Sequence, residues 1–474
     1  MNNNKDTLYI VLRQNDFTKI KRKNIICFSL CPEVIKAEFK ISTPNPIRTS
    51  EKSQNLLLKS KEIIEIILEK IRIKNKKFNK IYLRELIKPY LDLKISMYLY
   101  LRSCIPNSKY YKILIKGKWE KYKSKTSLII ALENVLKREK GNAYEFLSKQ
   151  RKLDYSLIHK ALSKVQIILI NRIIRNRKIF VLSCNKSYFM PTIFKELNKS
   201  HKNIISYNQS KKLTRLFIII LKQFFYLILK RRNILIEFFM LPILDNKKQI
   251  YFAKNKEYIF KYLDKEYYYF LLENLENYIS AFVGYENYSK KLFINSIDKN
   301  SQSIYHTNRF PDLNALSKNL SKLKVKQHLI SHGTHTTQKS SETGEFVSQS
   351  LAIGMLTTSI PNMQIYSQSI FSDDYLLNKK ITYNEIYPLN YKKKVGLESS
   401  VFNILCAGTV KQLGARRYYF ESSFEYIYCI KDLCKKLCNL DFDFIITLRI
   451  RDVKNEINKN IIHTISKESN GLIK

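Results

Sequence analysis

The stretch Ser303–His335, SIYHTNRFPDLNALSKNLSKLKVKQHLISHGTH, changes its hydrophobic period twice. SIYH is a short β-rich run, and QHLIS (327–331) is another. Between them DLNALSKNLSKLKV spaces its apolar residues as a helix does. Short strands alternating with helices make βαβ units and a parallel sheet. In such sheets ligands bind beyond the carboxyl ends of the strands. The turn His332-Gly333-Thr334-His335 leaves one such end, and His306 closes the neighbouring strand.

Those residues are scarce elsewhere. The chain has seven His, four of them between His306 and His335, and ten Gly, six of them between Gly333 and Gly414. Gly333 permits a positive φ or a close backbone approach to a ligand. A structural loop does not need two His around one Gly, so His332 and His335 are candidate site residues, with His306 on the same rim.

The same alternation extends outward. KIFVLSC (178–184), NIISY (203–207) and QIYFAK (249–254) read as strands, and MPTIFKELNKS (190–200) as a helix. A helix is expected over 256–278, with SAFVGY (280–285) as a strand after it. MQIYSQSI (363–370) is a further strand, and Asp373–Asp374 fit the first turn of a helix better than a metal pair. Residues 384–400, with Pro388 and Gly396, read as a linker. A second unit then begins with VFNILCAG, ending at Gly408. The loop TVKQLGARRYYFES follows, with Thr409, Gly414, Arg416 and Arg417. A helix starts at Ser422 or Ser423, and DFDFIITLRIRD is the next strand. A glycine- and arginine-bearing loop before a helix N-terminus can hold phosphate, although arginines pairing surface carboxylates fit the residue types equally well.

Upstream, residues 1–170 read as two short strands (LYIVL and NIICFSL) followed mostly by helix. This half is strongly basic. The net charge is +44, and residues 1–250 hold 54 Lys+Arg against 18 Asp+Glu, whereas residues 251–474 hold 30 against 22. Nucleic acid, an anionic membrane face and a polyanionic substrate all suit that charge. The abundance of Lys, Asn, Ile and Tyr also fits an AT-rich coding sequence. Eight Cys without regular short spacing read as reduced cytoplasmic thiols, and Cys429, Cys434 and Cys438 suit a helix better than a zinc clamp. No secretory run opens the chain, and no segment has the roughly 20 apolar residues a spanning helix needs. LFIIILKQFFYLILKRR (216–232) comes nearest. It suits a core helix with Lys222 snorkelling out, ahead of a helix lying in a membrane interface.

HLISHGTHTT, YSQSIFSDDYL and ILCAGTVKQLGARRYYFESSFEYIYCI, in that order, resemble bacterial surface-carbohydrate (capsule or lipopolysaccharide) biosynthesis proteins of the GT-B glycosyltransferase type. The HGT turn is also similar to that of CDP-glycerol glycerophosphotransferases. The resemblance covers roughly residues 177–474. It implies two Rossmann-like units: an acceptor domain over 171–383 and a donor unit over 401–474, after a basic α-rich region at 1–170. His332 would be the base or the phosphate partner at the transfer point, shaped by Gly333 and Thr334. Gly408, Thr409, Gly414, Arg416 and Arg417 would line the donor phosphates, with Ser422 or Ser423 presenting a helix N-terminus. Neutral His suits a general base, and Arg with helix dipoles can stabilise a departing nucleotide without a metal or other cofactor. The implied partners are a nucleotide-activated sugar or CDP-polyol, a polysaccharide or lipid-linked acceptor, and an anionic membrane contacted peripherally from the cytoplasm. Only 74 residues follow Ser400, short for such a domain. A scaffold that no longer turns over is therefore one alternative. A nucleic-acid-binding protein, drawn from the Tyr–Lys interleaving of NSKYYKILIKGKWEKYK (107–123), is the other.

Overall fold

The computed structural model describes residues 6–12, 19–20, 26–29, 40–42, 50–73, 80–115, 117–136, 157–183, 203–208, 212–229, 235–242, 250–252, 260, 262–293, 296–306, 311–330, 363–367, 381–383, 401–407, 423–439 and 443–449, with 459, 462–463 and 465–466 near the C-terminus. The result is a mixed α/β fold.

The first two β-rich runs pair in parallel as β1 (Thr7–Val11) and β2 (Ile26–Ser29), and β3 (Lys40–Ser42) joins β2. On the other side of β1 lies β5 (Tyr110–Ile115), parallel to it, and β6 (Lys118–Tyr122) returns antiparallel through a turn in which Gly117 takes φ 84°. The order is β3-β2-β1-β5-β6, where β4 (Ile71–Ile73) is the short strand that pairs elsewhere, with β10 (Ile250–Phe252). Alternation puts Leu8, Ile10, Tyr111 and Ile113 in one core with Ile64 and Ile67 of α1 (Ser50–Lys70), Ile87 and Leu91 of α2 (Lys80–Cys104) and Leu128 and Leu132 of α3 (Lys125–Leu136). Ser124 caps α3 by accepting the Ser127 N–H at 3.0 Å. The expectation of two strands and then helix is thus corrected. Helices do dominate residues 1–170, but they are layered on a five-stranded sheet. The missed strands β5 and β6 carry Lys and Tyr on their outer positions, which hides their period.

The second sheet is parallel throughout. Its strands are β7 (Phe180–Ser183), β8 (Ile204–Tyr207), β9 (Leu235–Phe238), β11 (Gln302–His306), β12 (Lys326–Ile330), β13 (Met363–Ser367) and β14 (Ile381–Tyr383). They lie in the order β14-β13-β12-β11-β7-β8-β9. The chain winds outward from β7 to β9, then restarts on the other side of β7 with β11. α4 (Leu157–Ile174) precedes β7, and α5 (Leu213–Ile228) connects β8 to β9.

α6 (Lys265–Phe293) runs through one hydrophobic core that the two sheets share. Its first half stacks Tyr267 on Tyr98 (ring centroids 3.9 Å apart) and Tyr278 on Tyr90 (4.7 Å), both in α2. Each such pair contributes about 0.5–1.5 kcal/mol beyond area burial. Its second half sets Phe293 edge-on to Phe238 of β9, and Glu286 pairs with Lys318 and Lys322 of α7 (Pro311–Lys322). SAFVGY, expected as a strand, lies inside this helix. Ala281, Phe282, Val283 and Tyr285 are all buried, and burial on every side overrides local β preference.

A charged group also sits in the core. Lys94 of α2 meets the fully buried Glu133 of α3 at 2.5 Å, and Tyr267 donates to the same carboxylate at 2.5 Å. A final βαβ comprises β15 (Val401–Ala407), α8 (Ser423–Cys438) and β16 (Asp443–Arg449), with β15 and β16 parallel. Cys429, Cys434 and Cys438 all lie on α8.

Candidate active site

Parallel strands end at a common edge, and the winding reverses between β7 and β11, the kind of switch point beside which open α/β sheets bind ligands. The register there pairs Ser183 of β7 with Tyr305, and His306 with Ile330 of β12. His306 is therefore the last residue of the strand flanking the switch point. It lies opposite the residue two positions before His332.

The rim is held by polar contacts that the sequence did not announce. Tyr207, the last residue of β8, donates a short hydrogen bond to the Asp312 carboxylate in the first turn of α7, and both are buried. The other Asp312 oxygen accepts the Leu313 N–H at 2.8 Å. A carboxylate at a helix N-terminus is electrostatically favoured. Here it also occupies the positive end of α7, so an anionic ligand at that helix start would compete with Asp312. Next to it, Asn208 donates to Glu237 of β9 at 2.8 Å, and Arg215 of α5 binds both oxygens of Glu237 at 2.8 Å. Asp312 directly after Pro311 was the available signal for the first contact. Nothing local marks Tyr207 as its partner.

His328 separates from its neighbours in sequence. It lies in the body of β12 opposite Ile304, and burial, helped by the charge of Lys326, lowers its pKa below the ordinary imidazole value. It sits back from the rim.

Of the candidate residues, His306 ends β11 and Ser423 begins α8. His332, Gly333, Thr334, His335, Gly408, Thr409, Gly414, Arg416, Arg417 and Ser422 lie outside the described residues, as do Asp373 and Asp374. Their attachment points are described. Ala407, immediately before Gly408, is paired with Arg449 at the carboxyl ends of β15 and β16. The loop carrying the two arginines thus springs from beside Arg449 and returns to the chain at the N-terminus of α8. Among the described residues no group of three or more His, Cys, Asp or Glu is placed to hold a metal ion.

No protein-family model matches the chain, and no curated protein matches it.

Proposed function

We propose that the chain is a transferase of the GT-B type, moving a sugar or polyol phosphate from a nucleotide-activated donor to a cell-surface polysaccharide or its lipid-linked precursor. The observation that carries this reading is the register pair His306–Ile330 beside the switch point of a parallel seven-stranded sheet. It brings one scarce histidine and the root of the His332–His335 turn to one rim, at the edge where such sheets bind ligands. In this reading His332 or His306 takes the acceptor proton. Arg416, Arg417 and the N-terminus of α8 hold the donor phosphates, with Gly408, Thr409 and Gly414 shaping their loop. The role falls to α8 because Asp312 already occupies the start of α7.

A thermal-shift panel with CDP, UDP, GDP and dTDP tests this proposal. One nucleotide family should raise the melting temperature, and Arg416→Ala should abolish the rise while His332→Ala preserves it. A cooperative melt indifferent to every nucleotide would leave a non-catalytic scaffold as the better reading.

One observation favours a different class. On the outer face of the N-terminal sheet, Lys121 lies over the Tyr110 ring at 3.5 Å, Lys112 over Tyr9 at 5.2 Å, and Trp119 meets Tyr9 edge-on at 5.2 Å. Aromatic and cationic side chains on one sheet face suit a single-stranded nucleic acid. Those rings already carry the lysines, which places this reading second. Binding of a single-stranded oligonucleotide that weakens steeply with salt and is lost in Trp119→Ala would promote it.

A further inference from the structure

A surface helix normally turns polar residues to solvent. α5 does not. Its inward residues, including Leu216, Ile219 and Ile220, are buried against Leu162 and Leu169 of α4 and Phe239. Its outward residues are as apolar: Phe217, Ile218, Leu221, Phe224, Phe225 and Ile228 are each 40–57% exposed. At 100° per residue, with Leu213 and Leu229, they fill an arc of about 160° broken only by Thr214. α4, packed alongside, exposes Leu157, Ile158, Val165 and Ile168 as well.

Charge identifies the occupant of this face. Neither α4 nor α5 contains an Asp or Glu. Lys160, Lys164 and Arg172 stand exposed among the apolar residues of α4, and Lys222 borders the arc on α5. The sequence then continues as Lys230-Arg231-Arg232. Glu237, the acid beside α5, is already paired with Arg215 and Lys222. A second copy docked here would set cations against cations, with no acid on either helix to meet them. Anionic headgroups around an acyl interior match both features. α5 is about 24 Å long, too short to span the hydrocarbon core but long enough to lie in its surface. Among the described residues no helix is long and apolar enough to cross a membrane.

We propose that the outward face of α5, with α4 beside it, docks the protein in plane on an anionic lipid bilayer. α5 leaves the carboxyl end of β8, the edge to which His306 also belongs, so the docked surface would flank the candidate site. The surface stands independently of the transferase reading, and its test contains no nucleotide.

The test is flotation of the full chain on phosphatidylcholine vesicles with and without about one-quarter phosphatidylglycerol. The wild type should float with the anionic vesicles. Phe217→Ser/Phe224→Ser/Phe225→Ser should reduce partitioning at least about tenfold while keeping the melting temperature, because those positions are exposed. A single-tryptophan reporter, Trp119→Phe with Phe225→Trp, should shift its emission to the blue on adding anionic vesicles. Absence of flotation, or equal flotation of the triple variant, would overturn the proposal. So would a reporter already shifted without lipid in a dimer that the triple variant dissolves, which would assign the face to a second copy.

Discussion

Gln166 holds both backbone groups of Phe239: its Oε1 accepts the Phe239 N–H at 2.9 Å, and its Nε2 donates to the Phe239 carbonyl at 2.8 Å. Two residues earlier, Gln223 of α5 donates to the Glu237 carbonyl at 2.7 Å. β9 is the outer strand of the seven-stranded sheet, and outer strands expose a row of groups ready to pair with another chain. Two buried glutamine side chains occupy that row instead.

Replacing Gln166 with Leu should therefore cost more than an ordinary core substitution. The shape is roughly kept, but the N–H and carbonyl of Phe239 lose their partner in a buried place. A loss of about 2–4 kcal/mol is expected, read as a lower urea midpoint.

Lys94 and Glu133 make a second case. Lys94→Met strands a fully buried carboxylate beside Tyr267 and should cost about 3–5 kcal/mol. Lys94→Met/Glu133→Gln removes both charges and keeps an acceptor for Tyr267. It should lie closer to the wild type than the single variant, in a denaturation double-mutant cycle.

α7 ends without a glycine. Lys324 takes φ 59°, with Val325 N–H bonded to the Leu320 carbonyl at 3.0 Å and Lys324 N–H to that of Ser321 at 2.9 Å, the paired bonds of a Schellman turn. A side chain in this left-handed conformation is strained, so Lys324→Gly should stabilise the protein by up to about 1 kcal/mol, seen as a higher melting temperature.

Stability should also fall in acid for a definable reason. Burial alone would raise the Glu286 carboxyl, but Lys318 and Lys322 outweigh it and hold its pKa below the ordinary value. In Asp264 burial is likewise outweighed, by hydrogen bonds from Thr126 (2.5 Å) and Tyr98 (2.6 Å) and by the charge of Arg102. A carboxylate depressed in the folded state contributes its full stabilisation above the unfolded value, about 4, and loses it as pH falls through the folded one. Denaturation curves should show this contribution unchanged from neutrality down to about pH 5 and lost below about pH 4. Glu286→Gln should give a shallower acid limb.

Much of the α/β layout was legible in the residues. Phe180–Ser183, Ile204–Tyr207 and the strands at either end of the opening stretch are short apolar runs bounded by turns, and IYH at 304–306 already placed a histidine at a strand end. SAFVGY was not legible, because Phe282, Val283 and Tyr285 read as strand until a neighbour buries them on all sides. The apolar run of α5 suggested a core helix, since a sequence records that Phe224 and Phe225 are apolar but not that the fold leaves about half of each exposed. At the site, His306 could be placed from local pattern. The Tyr207–Asp312 contact, bridging 105 positions, has no local signature.

α6 has a consequence for how the protein is made. Tyr90 and Tyr98 are synthesised early, yet the rings they stack on, Tyr278 and Tyr267, come from a helix that also serves the downstream sheet. After α3 is complete, about 140 further residues must be translated before that helix is finished through Tyr278, on the order of ten to thirty seconds at typical translation rates. During that interval Tyr90 and Tyr98 lack the rings they stack on in the folded protein. Completion of this upstream packing therefore waits on a helix translated later, and chaperone dependence of expression should concentrate in the segment upstream of α6.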